Sequence, residues 1–234
     1  MIKQISRDYL SQPLKLKHRE NMGDDLIIRQ NFPRDKTKGE HIKYIFDMIK
    51  PNQVWVDGGA HIGTFCLRLT KQFGIKHILA VEPNPITFSY LKDNVEGNNE
   101  KEHILTVNGA LSEKDGTCSL SISKTSSYMD TIIKEVKGRD TVIVPTVSLS
   151  NLTEQLSLFC LKLDIEGGEQ NLLLSMDKQV LDKVEVLSVE YHFRLLGYSR
   201  YEEVIAKIKQ SFSKVKFTEN PSNKWLGYIA AWKE

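Results

Sequence analysis

The sequence predicts an α/β fold built on a mostly parallel sheet. Two observations carry this: from residue 53 onward short apolar runs alternate with helix-periodic segments, and the first of these runs opens through a glycine-rich loop into a helix. A chain of 234 residues with 40% hydrophobic content suits one sizeable core and is short for two. A single domain is therefore expected.

The run "QVWV" reads as the first strand. "GTFCLRLTKQF" carries apolar residues at Phe65, Leu67, Leu69 and Phe73 and stops before Gly74, as a glycine-closed helix does. "KHILAVEP" is the second strand. "NPITFSYLKDNVEG" is a helix with Asn84 as its capping residue, Pro85 in the first helical position and Gly97 at its close. "HILTVNGAL" continues as a third strand. "LFCLKLDIEGGE" gives the fourth, running into a helix with the stripe Leu172, Leu173, Leu174 and Met176, and "KVEVLSVEYH" gives the fifth. Tyr201, Val204, Ile205, Ile208 and Phe212 mark an amphipathic helix. "VKFTEN" and "KWLGYIAAWKE" are closing strands joined by "PSN".

Two regions break this rhythm. Around residues 112–150, "GTCSLSIS" and "DTVIVPTVSL" read as short strands divided by a Ser/Thr-rich piece, an insert expected over the open end of the sheet. Residues 1–50 read as a cap packed on the core domain of residues 51–234. Within the cap "GEHIKYIFDMIK" is helical in character, and the stretch before it gives weak strand hints.

The formal charge of +2 gives the whole molecule no strong field for nucleic acid or anionic lipid. Residues 1–50 hold 11 Lys or Arg against 7 Asp or Glu, a mild bias of the kind a solvated face shows. Cys66, Cys118 and Cys160 lack paired spacing and read as buried fillers in a reducing compartment. With no secretory apolar core at its start and no long apolar window, the chain is expected in the cytoplasm, without a membrane partner.

"VWVDGGAHIGTF" sets an acidic residue and glycines between a strand and a helix, the order of a nucleotide site, because glycine lets backbone approach a ligand and the helix start offers free amides. Two loops compete here: the GxGxxG of dinucleotide enzymes and the DxGxGxG of class I methyltransferases. Asp57 favours the second, since a pyrophosphate avoids a carboxylate where a methionine ammonium welcomes one. Glu82 follows Asp57 by 25 residues and suits both hydroxyls of a ribose, whichever the cofactor.

Taken together, "VDGGAHIGTF", "VEPNP" and "LKLDIEGGE" resemble the FkbM family of S-adenosylmethionine-dependent methyltransferases, whose usual motifs are close to DIGANIG, EPNP and DIEGxE. The match covers about residues 50–195. It implies the Rossmann-like class I sheet, seven-stranded with an antiparallel last strand and helices on both faces. It also implies methyl transfer from S-adenosylmethionine, commonly to a hydroxyl of a sugar or natural product. Asp57, Gly59, Gly63 and Glu82 fall at cofactor positions, with Ala60, His61, Pro83 and Asn84 beside them. His61 stands where the family usually has asparagine; both types tolerate left-handed backbone. Asn108 ends the third strand where an acidic residue often meets the adenine amino group, and its carbonyl can accept that bond.

The donor is already activated, so alignment of the acceptor supplies much of the rate, and a base helps a hydroxyl by roughly 10²–10⁴-fold. Candidates are Asp164 and Glu166, facing one way if the fourth strand continues, and Glu190 with His192, which share a face of the fifth. Glu166 and Glu169 also suit a helix start without any further role. Asp164, Glu166, Glu190 and His192 form an oxygen-rich set that Mg2+ or Mn2+ favours, but the spacing is not diagnostic and a sulfonium donor requires no metal. No metal is assigned. The expected partner is a small-molecule acceptor. An RNA or nucleotide methyltransferase lacks a dense basic stripe with interleaved aromatics, and a nicotinamide oxidoreductase sits poorly with the closing strands.

Overall fold

The computed structural model describes residues 1–126, 130–132, 137–192, 200–220 and 223–234, with side chains of the last group from 226 onward. β1 (Ile2–Ile5) and β2 (Leu14–Lys17) pair antiparallel, followed by α1 (Asp24–Asn31) and the one-turn α2 (Ile42–Ile45). The core begins with β3 (Val54–Gly58), α3 (Thr64–Phe73), β4 (His77–Glu82), α4 (Pro85–Gly97) and β5 (Ile104–Asn108). β6 (Ala110–Ser112), β7 (Gly116–Ile122), β8 (Asp140–Ser148) and the short α5 (Leu149–Leu152) come next. The chain then returns through β9 (Phe159–Leu163), α6 (Glu169–Ser175), α7 (Lys178–Asp182), β10 (Val184–His192), α8 (Tyr201–Ser211), β11 (Lys214–Asn220) and β12 (Asn223–Trp232).

Seven strands form one sheet in the order β11-β12-β10-β9-β3-β4-β5. β3, β4, β5, β9 and β10 run parallel, while β12 is antiparallel to both β10 and β11. The antiparallel last strand is as expected. β3 lies between β4 and β9, so the chain reverses its direction of winding there, and a crevice opens beyond the carboxyl ends of these three strands.

Alternation along the strands fills both faces. Trp55 and Ile78 join Phe65 and Leu69 of α3 and Leu91 of α4 on one side. Val56, Leu161 and Leu163 join Leu172 of α6 and Val204 and Ile208 of α8 on the other. The first core also takes Leu14, Leu16, Ile28, Ile42 and Ile45, so the amino-terminal elements share the packing of the main sheet. Asn84 caps α4 as predicted, its Oδ1 accepting from the amides of Ile86 and Thr87. Gly74 closes α3 in the left-handed conformation. No helix among the described residues is long and apolar enough to cross a membrane.

Four expectations need correction. α1 was not foreseen, because Ile28 is its only buried apolar residue and Leu26 faces solvent, leaving no apolar stripe to read. The helix expected over 39–50 is one turn of α-helix followed by a 3-10 turn at Phe46–Met48, because His41 is left-handed at φ 56° and Ile45 departs from helical geometry at φ −127°. The third strand breaks at Gly109, where a Cβ would lie 2.6 Å from a Val147 methyl, and Ala110–Ser112 leaves to pair with β8 in a three-stranded sheet, β6-β8-β7. Cys118 is half-buried, unlike Cys66 and Cys160, and all three are free thiols. Residues 127–129 of the Ser/Thr-rich piece, residues 221–222 of the final turn and the loop 193–199 after His192 lie outside the described residues.

Candidate functional site

A cavity of about 840 Å³, counting its open mouth, occupies the crevice beyond β3, β4 and β9. Its wall combines Gly59, Ala60 and His61 from the glycine loop, Glu82 and Pro83 from the end of β4, and Lys162, Asp164 and Glu166 from β9 and the turn after it. The insert contributes Leu120, Asp130 and Ile132, and the amino-terminal segment contributes Ile27, Glu40 and His41.

The glycine loop is drawn closed by Val81, whose carbonyl accepts from the amides of both Gly59 and Ala60 at 3.0 Å. Gly59 has φ 73°, and a Cβ there would stand 1.8 Å from the Asp164 carbonyl oxygen, so only glycine allows the loop to touch the end of β9. His61 is left-handed at φ 52°, the conformation its residue type was expected to serve. Burial lowers the His61 pKa to about 4, so the ring is neutral near pH 7. Its Nε2 lies 3.5 Å from Asp24, itself bound to Arg19, which ties the amino-terminal segment to the loop. Gly63 caps α3 and packs against Leu91, away from the cavity.

Glu82 is 7% exposed, and its carboxylate accepts from the amides of His61 at 2.9 Å and Asn84 at 3.0 Å. Burial raises its pKa to about 7. A carboxylate has further acceptor positions beyond these two, so it can still receive hydroxyl donors from the cavity. Asn84 is buried and donates to Asp130 Oδ2 at 2.6 Å, fastening the insert to the end of β4. Asn108 is not on the cavity wall. Its amide donates to the carbonyls of Glu82 and Pro83, bracing the turn that carries them.

Asp57 does not line the cavity. It is 0% exposed, and its Oδ1 lies 3.1 Å from Lys162 Nζ. The cation beside Asp57 is therefore a side chain of this protein. Lys162 also donates to the carbonyls of Gly58 at 3.2 Å and Gly59 at 2.7 Å, and stands 3.7 Å from Asp164 Oδ2. Burial opposes its charge, but Asp57 and Asp164 outweigh burial and raise its pKa. Lys162 was missed at the sequence level, although a lysine inside the apolar run "LFCLKLD" of a strand buried on both faces was a visible signal.

The candidate catalytic residues meet, by a different route from simple strand alternation. β9 ends at Leu163, and Glu166 reaches the cavity because its backbone turns left-handed at φ 52°. Asp164 is on the wall, and although burial acts to raise its pKa, Lys162 and His41 hold it well below the ordinary carboxylate value. Burial raises Glu166 to about 8, with Asp164 and Glu169 adding to it. Glu190 and His192 do share a face, with 3.9 Å between them, and neither lines the cavity. Burial, then Asp164 and Glu40, raise Glu190. His192 Nδ1 lies 3.2 Å from Glu169 and its Nε2 lies 3.8 Å from Glu166; burial opposes its charge, yet these carboxylates raise its pKa well above the usual value. Glu169 is fully buried and accepts from the amides of Ile165 and Gly167, so it shapes the turn.

The donor set fits the nucleoside half of S-adenosylmethionine, with a partly satisfied carboxylate at Glu82 beside Pro83 and apolar insert residues. For a cationic remainder, Glu40 and Asp164 supply negative charge on the same wall; Asp57 does not.

Comparison with known proteins agrees with the fold. The FkbM methyltransferase crystal structure from Methylobacillus flagellatus KT superposes with a TM-score of 0.55 at 15% identity, covering 78% of this chain and 44% of that one. A METTL16 methyltransferase domain gives 0.50 at 16% identity, covering 82% and 66%. The methyltransferase sdnD of Sordaria araneosa is 25% identical over 171 residues, which is 59% of this chain and 66% of that protein. The chain thus spans less than half of the first structure and about two thirds of sdnD, and its sheet is that of the class I methyltransferases. The pattern of the methyltransferase FkbM domain matches residues 57–214, most of the core, and the chain belongs to that family.

Proposed function

We propose that this protein transfers a methyl group from S-adenosylmethionine to a hydroxyl of a small molecule such as a sugar. The observation that carries the reading is the convergence, on one cavity at the switch point of the sheet, of the Glu82 carboxylate with Asp164 and Glu166. When bound, the cofactor supplies an electrophilic methyl on a sulfonium that leaves as a neutral thioether. Glu82 holds the ribose hydroxyls, and the glycine loop gives close backbone approach. Asp164, ionised on the wall, orients the acceptor oxygen, while Glu166 removes its proton and His192 stabilises the carboxylates around it. The left-handed backbone of Glu166 supports this role, since non-glycine residues are held in that region mainly where the surroundings require it.

An RNA acceptor finds less support. Among the eleven basic residues in the amino-terminal segment, Lys3 is engaged within the protein with Asp25, Lys17 with Asp93, Arg19 with Asp24, and Arg7 with the carbonyls of Phe32 and Pro33. Calorimetric titration with S-adenosylmethionine, its demethylated product and NAD tests the cofactor reading. Binding of the first two and not NAD, lost in Glu82→Ala, is expected; equal affinity in that variant counts against the site.

A further inference from the structure

We propose that His41, Asp164 and Glu190 form a binding site for a first-row divalent cation, such as Mn2+ or Zn2+, at the wall of this cavity. One ligand atom from each lies within 4.8 Å of the other two. His41 Nε2 is 3.7 Å from Asp164 Oδ2, too far for a hydrogen bond and close to the separation of two donors each about 2.1 Å from one ion.

His41 supplies an independent argument. It is 2% exposed, its Nδ1 lies 2.8 Å from Ser188 Oγ, and its enclosed Nε2 has no hydrogen-bond partner while it faces the two carboxylates. An enclosed nitrogen without a hydrogen bond is costly; Asp164 at 3.7 Å gives it only a charge contact, and a cation between the two satisfies both. The outer partners are those of a built site: Ser188 fixes the far side of the imidazole, and Tyr228 OH, 3.0 Å from Glu190 Oε2, fixes the far side of that carboxylate. Among the described residues of the wall, Lys162 carries the only ammonium or guanidinium; it lies 3.1 Å from Asp57 and 3.7 Å from Asp164 and donates to two carbonyls. Glu40, Asp164 and Glu166 on the wall, together with Glu190, leave a surplus of acidic groups.

A second cluster, Asp164, Glu169 and His192, shares one residue with this set. There Glu169 already accepts from two backbone amides, which makes it a brace for the turn. One imidazole and two carboxylates favour a first-row transition ion over Mg2+ or Ca2+, which prefer oxygen alone. Three protein ligands leave open positions, as in catalytic sites, for an oxygen of the acceptor. That use of the ion rests on the methyl-transfer reading; occupancy of the site does not.

The test titrates chelator-treated protein with Mn2+ and with Zn2+, followed by calorimetry and, for Mn2+, by loss of the free-ion electron-resonance signal. One ion per chain is expected. Glu190→Gln and Asp164→Asn should weaken binding at least about tenfold, while Glu202→Gln on the exposed face of α8 leaves it unchanged. Binding of the demethylated cofactor product, measured on each variant, reports that the cavity is intact. If Glu190→Gln lowers the melting temperature, His41→Asn, which keeps a residue tolerant of left-handed backbone, removes the imidazole instead. No saturable binding below millimolar metal, or undiminished binding in folded Glu190→Gln and Asp164→Asn, overturns the site. Cofactor-product binding without metal binding sinks the metal site alone; metal binding without the cofactor product sinks the methyl-transfer reading alone.

Discussion

Lys162 Nζ lies 3.1 Å from Asp57 Oδ1 inside the protein, so the acidic residue before the glycine loop neutralises a lysine of the neighbouring strand. β3 and β9 are paired in register here, Asp57 against Lys162, which makes the ion pair part of the sheet. Removing one partner of a buried pair strands the other, at a cost of about 3–5 kcal/mol. Asp57→Asn and Lys162→Met should each lose that much in urea unfolding. The double variant should lose clearly less than the sum of the two. Additive losses would mean the two side chains do not interact.

Glu82 gives a pH signature. Its folded pKa is raised by burial from 4.5 to about 7, so the folded protein holds a proton that the unfolded chain releases at lower pH. The contribution of this group therefore falls as pH rises from about 4.5 through 7, by up to about 3 kcal/mol, and is level above that. In the ligand-free protein Glu82→Gln should gain stability relative to wild type between pH 5 and pH 8. Cofactor affinity should move the opposite way in wild type, falling as pH drops below 7, because hydroxyl donors favour the ionised carboxylate. Asp130, also raised by burial, adds to the rise at Glu82, and Asp130→Asn separates its titration from that of Glu82. Equal pH profiles in wild type and Glu82→Gln would count against this assignment.

Gly59→Ala probes the contact between loop and strand. A methyl at this position meets the Asp164 carbonyl at 1.8 Å, backbone that cannot swing aside, and φ 73° adds the strain of a left-handed L-residue. Binding of the demethylated cofactor product should fall by at least about tenfold, with about 1–2 kcal/mol or more lost in thermal unfolding. By contrast, Gly74→Ala, also left-handed but with open space around it, should cost stability alone.

The sheet was legible because periodicity survives in every core element, from the "QVWV" strand to the stripe Val204, Ile205 and Ile208. The glycine loop, Glu82 and the "DIEGGE" turn were legible because their residue types are restricted by backbone and charge. What escaped was whatever depends on distant partners. Whether Asp57 faces a ligand or Lys162 is decided by the pairing of β3 with β9, which local pattern does not encode. His41 and Glu40 reach the cavity through an amino-terminal segment whose one-turn helices carry almost no period. Asn108 donates its Nδ2 to the carbonyls of Glu82 and Pro83 in the turn after β4, a contact that a strand-end position does not announce.

The division of labour among the acidic residues gives the sharpest kinetic prediction. Glu166 is on the cavity wall with its carboxylate 3.8 Å from His192, whereas Glu169, three residues on, is wholly buried and bonded to backbone amides. Glu166→Gln keeps shape and removes the proton acceptor, so kcat should fall by roughly 10²–10⁴-fold with little change in unfolding midpoint or cofactor affinity. Glu169→Gln breaks one of the two amide contacts that shape the turn and should instead lower stability and cofactor affinity together, by about 1–3 kcal/mol in unfolding. Once an acceptor is in hand, steady-state kinetics and melting curves on both variants distinguish the roles. If Glu166→Gln retains wild-type kcat, the base lies elsewhere in the cluster.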